Sequence, residues 1–360
     1  MAKQNEDGIL WCDFTFNPWV GCAKISPACD HCYAESWAKR SGIVKWGPHD
    51  ERRRTSESNW RQPLKWNAEA ARLGTRFRVF CASLADVFDN AVPQEWRNDL
   101  FLLITQTPHL DWLLLTKRVG NVMGMVPLPW ISKPFQHGPN PENIYPGGWP
   151  QNVWLGATIC NQVEADRDIP KLLSVPGAKR FLSMEPLLGP VDLTMIDDEN
   201  TPGLSWNVLT GERTIVHEGA TGEWSRTDTA LDWVIVGGES GPGARPMHAD
   251  WVRSLRDQCA TAGVPFFFKQ WGMYANQRAA SLDENFCYEK SFTGGWVEMD
   301  GDFSMGAEAD TKSNNYCSAQ VNKAIHVFGF RTKQAAGRVL DGRFWNEVPT
   351  VIAEDQRRVI

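Results

Sequence analysis

Trp233-Val234-Ile235-Val236-Gly237-Gly238-Glu239 is the stretch that decides the fold class. Four apolar residues run on without a polar one between them. That pattern suits a strand buried on both faces, as in a parallel sheet, better than the in-and-out alternation of an antiparallel one. The run then stops at two glycines and a carboxylate, which puts polar chemistry at the C-terminal end of the strand. Trp112-Leu113-Leu114-Leu115-Thr116-Lys117-Arg118 has the same character.

Working outward, runs of this kind predict seven strands, at Ile9–Thr15, Phe77–Ala82, Trp112–Thr116, Val153–Ala157, Arg180–Ser183, Trp233–Val236 and Pro265–Phe268. Helical spacing falls between them. Pro93–Thr107 opens with proline and places Leu100, Leu103 and Ile104 on one face; Gln162–Leu173 is similar, and Asp250–Ala262 ends at Gly263 as a C-cap. Strands alternating with helices predict an α/β fold, a partial or closed (β/α) barrel related to the TIM barrel.

Residues 1–272 are read as the barrel core, and 273–360 as a C-terminal extension packed on it. Inserts at about 120–150 and 191–230 are rich in proline, glycine and polar turn residues, and are expected to leave the barrel and roof its site. In the extension, Gly295 to Phe303 reads as a hairpin turning at Asp300-Gly301, and Lys333 onward as a short helix ending at Gly342.

Composition narrows the function. With 42% hydrophobic and 22% charged residues the chain builds an ordinary core and is not disordered throughout. A formal net charge of −6 argues against a general nucleic-acid binder, because counterion release needs a dense Lys/Arg surface. One local strip is basic: Arg52-Arg53-Arg54, Arg61 and Lys65, interleaved with Trp60 and Trp66. It reads either as a surface that stacks bases and meets phosphates, or as a loop whose tryptophans pack on the barrel. No run reaches the ~18 apolar residues of a membrane helix. The polar start of the chain has no signal-peptide core, so a cytoplasmic protein without a membrane partner is expected. Nine cysteines, an odd number, then read as buried thiols or metal ligands rather than disulfides.

Six of the nine stand singly. The other three share one loop, Asn17-Pro-Trp-Val-Gly-Cys22-Ala-Lys-Ile-Ser-Pro-Ala-Cys29-Asp-His-Cys32-Tyr33, between the first strand and a helical pattern over Ala34–Arg40. Soft thiolates select iron–sulfur clusters or zinc. Three ligands on a [4Fe-4S] cluster leave one iron open, and chelation of the amino and carboxylate groups of S-adenosylmethionine there permits one-electron cleavage of a carbon–sulfur bond. A zinc site completed by His31, His49 or a distant cysteine is the alternative, and three unliganded thiols a third.

Polar residues also gather where the predicted strands end: Ser83 to Asp86, Thr116-Lys117-Arg118, Thr158 to Asn161, Ser183-Met184-Glu185-Pro186, Gly237-Gly238-Glu239 and Lys269-Gln270. In a β/α barrel that is where chemistry sits. Asp86, Lys117, Glu185 and Lys269 are the candidate catalytic groups, with Ser83, Thr158, Ser183, Gly237, Gly238 and Glu239 as candidate cofactor contacts. Each has a plainer reading: Glu185 or Glu239 pairs with Arg118 or Arg245, Lys117 and Lys269 balance those carboxylates or meet an anionic substrate, and the two glycines form a tight turn. Phosphate-loop, metalloprotease-helix and serine-elbow motifs are missing from the sequence.

These stretches resemble a phage-associated three-cysteine-motif protein family of unknown function, itself similar to the radical S-adenosylmethionine superfamily. The likeness lies in Thr15 to Cys22, Ser26-Pro27, Cys29 to Glu35, Ser83-Leu-Ala-Asp86-Val-Phe, Leu113 to Arg118, Ser183 to Leu187, Val236 to Gly241, Phe268 to Gly272 and Ala336 to Arg343. It implies an enzyme forming a 5′-deoxyadenosyl radical, with Cys22, Cys29 and Cys32 on a [4Fe-4S] cluster and His31 and Tyr33 beside the bound S-adenosylmethionine. It further implies a flavodoxin- or ferredoxin-like electron donor, a nucleobase or DNA-attached amino acid as substrate, and a phage- or prophage-encoded protein working in the bacterial cytoplasm.

Two features depart from that superfamily's pattern. The cysteine gaps are six and two residues instead of three and two, and Gly237-Gly238-Glu239 follows the sixth predicted strand rather than the second. Two rival readings stand beside it: a zinc-stabilised nucleic-acid-binding module using Arg52–Arg54, Trp60 and Trp66, and a non-redox barrel enzyme with Glu185 and Glu239 as acid and base.

Overall fold

Continuous apolar runs become parallel strands in the computed structural model, which describes residues 9–132, 135–136, 144–145, 148–197, 204–217, 220–224, 229–275, 291–297, 303–305, 325–330 and 336–349. The strands are β1 (Phe14–Thr15), β2 (Phe77–Cys81), β3 (Leu110–Thr116), β4 (Val153–Thr158), β5 (Lys179–Met184), β6 (Trp233–Gly237) and β7 (Phe266–Gln270). They form one parallel sheet in chain order.

Five longer helices accompany it: α1 (Tyr33–Ser41), α2 (Gln62–Leu73), α3 (Gln94–Thr105), α4 (Gln162–Ser174) and α5 (Ala249–Ala262). Leu100 and Ile104 of α3, Leu172 of α4 and Leu255 of α5 share one core cluster with Val79, Leu114, Leu155, Leu182 and Val234 of the sheet. The alternate strand positions face the other way.

Aromatic contacts on that second face show that the sheet is rolled. In a flat sheet with strands about 4.8 Å apart, β2 and β6 would lie ~19 Å from each other. Yet the Trp11 ring is 4.7 Å from Phe80 of β2, and 6.2 Å from both Phe181 of β5 and Trp233 of β6. The rolled sheet is a half-barrel, and these rings with Trp154 and Phe267 plug its interior. At Gly156, an inward position of β4, a Cβ would come within 2.6 Å of three Phe181 ring carbons. The missing side chain is what lets the aromatic ring lie flat over the strand.

The predicted first strand, Ile9–Thr15, shrinks to Phe14–Thr15. Its apolar start is spent on the plug: Ile9 and Trp11 are buried in the interior cluster rather than paired in the sheet. Among the described residues no crossover helix joins β5 to β6. Antiparallel strands at Ile196–Asp197, Leu204–Asn207, Glu212–His217 and Ala220–Trp224 stand there instead, and Ile196, Trp206 and Val208 join the helix-side core. Between β3 and β4, Trp130 packs on Phe101 at 4.8 Å and on Trp149 at 5.5 Å. Both inserts therefore build outward, and among the described residues neither contributes to the cavity mouth that they were expected to roof.

The predicted hairpin is present as Ser291–Val297 paired antiparallel with Phe303–Met305; its turn lies outside the described residues. The expected helix ending at Gly342 is not formed over 337–343. Gly337, Asp341 and Gly342 have φ of 80°, 49° and 83°, which a right-handed helix does not accommodate. Leu340 and Arg343 instead form an antiparallel bridge, and Asn346 bridges Phe267 so that this segment covers the open edge at β7. No described helix is long and apolar enough to cross a membrane.

Candidate functional site

Along each strand the inward positions change character toward the C-terminal end. Below lie the rings of the plug; above them come Lys117, Thr158, Ser183 and Lys269, and a cavity of about 470 Å³ opens there. That volume lies within the range of small-molecule sites. Its wall holds Cys22, Cys29, Cys32, His31, Tyr33, Ser83, Asp86, Glu185, Gly238 and Glu239 together with those four residues. One predicted site residue, Gly237, is not on it.

The cysteine loop covers one side of the mouth and is pinned at three points. Leaving β1, the chain turns at Gly21 (φ 106°), whose Cβ would stand 3.0 Å from Val44 Cγ2 and 3.2 Å from Arg52 Cδ, so only glycine fits without strain. The first pin is Arg118, following β3. Its guanidinium donates to the Ala23 carbonyl at 3.1 Å, to Cys22 Sγ at 3.4 Å and to Asp86 Oδ2 at 3.1 Å.

The second pin is Glu164, buried in the first turn of α4. It accepts from Ser26 Oγ at 2.5 Å and from the Cys160 amide at 3.0 Å. The third is Arg245, which donates to the Pro27 carbonyl at 2.8 Å and Asp30 Oδ2 at 3.0 Å while gripping Glu239 at 2.6 and 2.9 Å. Ser26 also caps the turn Pro27–Cys29, accepting from the Ala28 amide at 3.1 Å. A loop without regular structure is thus held by the ends of β3, β4 and β6.

Glu164 was not among the residues singled out from sequence. Asn161-x-x-Glu164 has capping-box spacing, and Asn161 does accept from the Glu164 amide at 3.0 Å. The carboxylate reaches the cysteine loop as well. Glu164→Gln replaces one acceptor oxygen by a donor, and is expected to cost about 1–3 kcal/mol in urea unfolding and to quicken proteolysis within residues 22–32. Wild-type values for both would remove Glu164 as an anchor.

Asp86 and Glu185, two further carboxylates of the wall, are each paired. Asp86 accepts from Thr116 Oγ1 at 2.8 Å, from the Phe88 amide at 2.9 Å and from the Lys117 amide at 3.1 Å, besides Arg118. Glu185 takes both contacts of Lys269 Nζ, at 2.6 and 2.9 Å, and Gln270 Nε2 at 2.9 Å. Of the pairings expected, Glu239 with Arg245 and Glu185 with Lys269 are found, while Arg118 meets Asp86. The glycine pair serves the protein's own packing: a Cβ on Gly237 would lie 3.3 Å from the Glu185 side chain, and one on Gly238 2.0 Å from the Trp271 carbonyl oxygen. Tyr33 donates to the Ser83 carbonyl at 2.7 Å, and the Asn17 amide nitrogen donates to Ser83 Oγ at 3.0 Å. Thr158 Oγ1 is buried with no partner.

Burial, with Asp86 nearby, pushes the Cys22 thiol up to about 11 against the opposing pull of Arg118. Burial also works against the Arg118 charge, but Asp86, Cys22 and Asp89 more than offset it and hold this guanidinium above its ordinary range. Among the described residues no group of three or more His, Cys, Asp or Glu side chains is arranged to hold a metal ion. Cys22, Cys29 and Cys32 all line the same cavity.

The basic strip divides: Arg53, Arg61 and Lys65 are exposed, while the rest of it is engaged with the fold. Arg52 is buried against Asp89 at 2.8 Å; Arg54 pairs with Asp99 at 2.8 Å and lies 4.0 Å over Trp60. Trp66 stacks on Phe14 at 4.4 Å, and Trp60 meets Phe16 edge-on at 5.7 Å.

The chain belongs to the family described as protein of unknown function (DUF5131), whose model matches residues 6–349. No curated protein and no solved structure matches it.

Proposed function

We propose that this member of a family of unknown function is a radical S-adenosylmethionine-type enzyme, with Cys22, Cys29 and Cys32 as ligands of a [4Fe-4S] cluster. One observation supports it above the others: three thiols face a single cavity at the C-terminal mouth of a parallel half-barrel. The donor set is of the right chemistry: soft thiolates select iron–sulfur clusters, a cluster takes each thiolate at a different iron, and the three cysteines line one cavity.

Once bound, the cluster and S-adenosylmethionine supply one-electron cleavage of a carbon–sulfur bond, releasing a 5′-deoxyadenosyl radical that takes a hydrogen atom from substrate. The chain's own residues hold that chemistry in place. Arg118, 3.4 Å from Cys22 Sγ, opposes the rise that burial imposes on this thiol, and metal binding needs the thiolate. His31 and Tyr33 stand at the wall beside Cys32, and are offered as contacts of the adenine end, with Ser83 held by Asn17 next to them. Glu185 and Lys269 neutralise each other and keep the floor rigid.

The electron comes from a flavodoxin- or ferredoxin-like donor, and a phage or prophage origin with work in the cytoplasm belongs to the same proposal. The rival readings have less to support them: Arg52 and Trp66 of the basic strip pack into the fold, and the two carboxylates meant as acid and base are each bound to a cation.

The test is anaerobic reconstitution with iron and sulfide followed by reduction with dithionite in the presence of S-adenosylmethionine. A brown protein that releases 5′-deoxyadenosine is the expected result. A fully reconstituted sample that leaves the cofactor intact would overturn the reading.

A further inference from the structure

Taking the cavity to be the reaction chamber proposed above, we infer that Lys117, Thr158 and Ser183 form a cradle for an anionic group, carboxylate or phosphate, on the substrate. The three belong to adjacent strands. Thr158 of β4 and Ser183 of β5 are register partners, so their side chains stand side by side on the inward face. Lys117 follows Thr116, whose partner is Ala157, the residue before Thr158. All three line the cavity.

The charge state of the chamber makes this row distinct. Asp86 is bound to Arg118, Glu185 to Lys269 and Glu239 to Arg245. Among the described residues Lys117 Nζ has no hydrogen-bond or ion-pair partner, which leaves a positive charge uncompensated inside the wall. Beside it Thr158, only 4% exposed, keeps a buried hydroxyl without a partner, a state that is costly unless a ligand completes it. Ser183 is equally buried.

An ammonium and two hydroxyls can all donate at once, and a ligand that accepts from all three is an oxyanion. In the proposed chemistry the amino and carboxylate groups of S-adenosylmethionine are taken by iron. What remains of that cofactor, a cationic sulfonium and a neutral nucleoside, carries no anionic group, so the anion belongs to the substrate.

The experiment is calorimetric titration of the metal-free, full-length protein with inorganic phosphate and, separately, with acetate. It is repeated on Lys117→Met, Thr158→Val and Ser183→Ala. One of the two anions is expected to saturate in the millimolar range, naming the group, and each variant should weaken it about tenfold with an unchanged melting temperature. Reconstituted variants should still bind S-adenosylmethionine in equilibrium dialysis. Failure of both anions to bind wild type, equal affinity in the variants, or loss of S-adenosylmethionine binding in place of anion binding would each overturn the cradle. Because the titration needs no cluster, it reads the same whether or not radical cleavage is found.

Discussion

Exchange of Cys22, Cys29 or Cys32 for serine, one at a time, is expected to abolish 5′-deoxyadenosine formation and to strip the reconstituted protein of most of its iron. The wild type should hold roughly four irons per chain. In the proposed site each thiolate is one of three ligands, and an alcohol neither ionises at neutral pH nor matches the softness of iron–sulfur chemistry. Losing one would leave two protein ligands on a cluster whose fourth corner is proposed to be open. Cys259, buried on α5, is the control, since Cys259→Ala removes a core thiol remote from the cavity and should leave iron and visible absorbance as they were. Iron analysis and the spectrum near the charge-transfer band decide. Serine variants that keep their iron would show that these three sulfurs are not its ligands.

The loop itself was legible in the sequence because cysteine is rare and its clustering is local. Strand ends were legible too, since an apolar run that stops at Lys117, Ser183-Met184-Glu185 or Gly237-Gly238-Glu239 marks its own C-terminus. What escaped was pairing across long separations. Ser26 and Glu164 lie 138 residues apart, Arg52 and Asp89 lie 37 apart, and nothing in either neighbourhood names the partner.

The basic strip shows the cost of that blindness. Its arginines and tryptophans match a nucleic-acid surface as well as they match an internal one, and only the fold brings Asp89, Asp99, Phe14 and Phe16 up to them. The same holds for Ile9–Thr15. Its apolar start reads as strand by composition, yet the rolled sheet needed a plug and took Trp11 for it. Local pattern sets which residues are buried; tertiary packing sets what they are buried against.

That plug supports the second large effect, Trp233→Ala. Trp233 is fully buried, with its ring 6.1–6.3 Å from those of Trp11, Trp154, Phe181 and Phe267. Its Nε1 donates to the Glu347 carbonyl at 2.8 Å, tying the C-terminal segment to the sheet. Truncation empties the middle of the interior layer, and the surrounding rings are braced against one another and cannot close the gap. A loss of about 3–5 kcal/mol follows from such a change, a large share of the ~5–15 kcal/mol that holds a domain folded. Trp233→Phe keeps an aromatic ring in the layer and forfeits the hydrogen bond, so it should lose about 1–3 kcal/mol. Urea unfolding of both variants measures the difference. A Trp233→Ala protein within ~1 kcal/mol of wild type would mean that the half-barrel is not filled by close-packed rings, and that the cavity above them has no rigid floor.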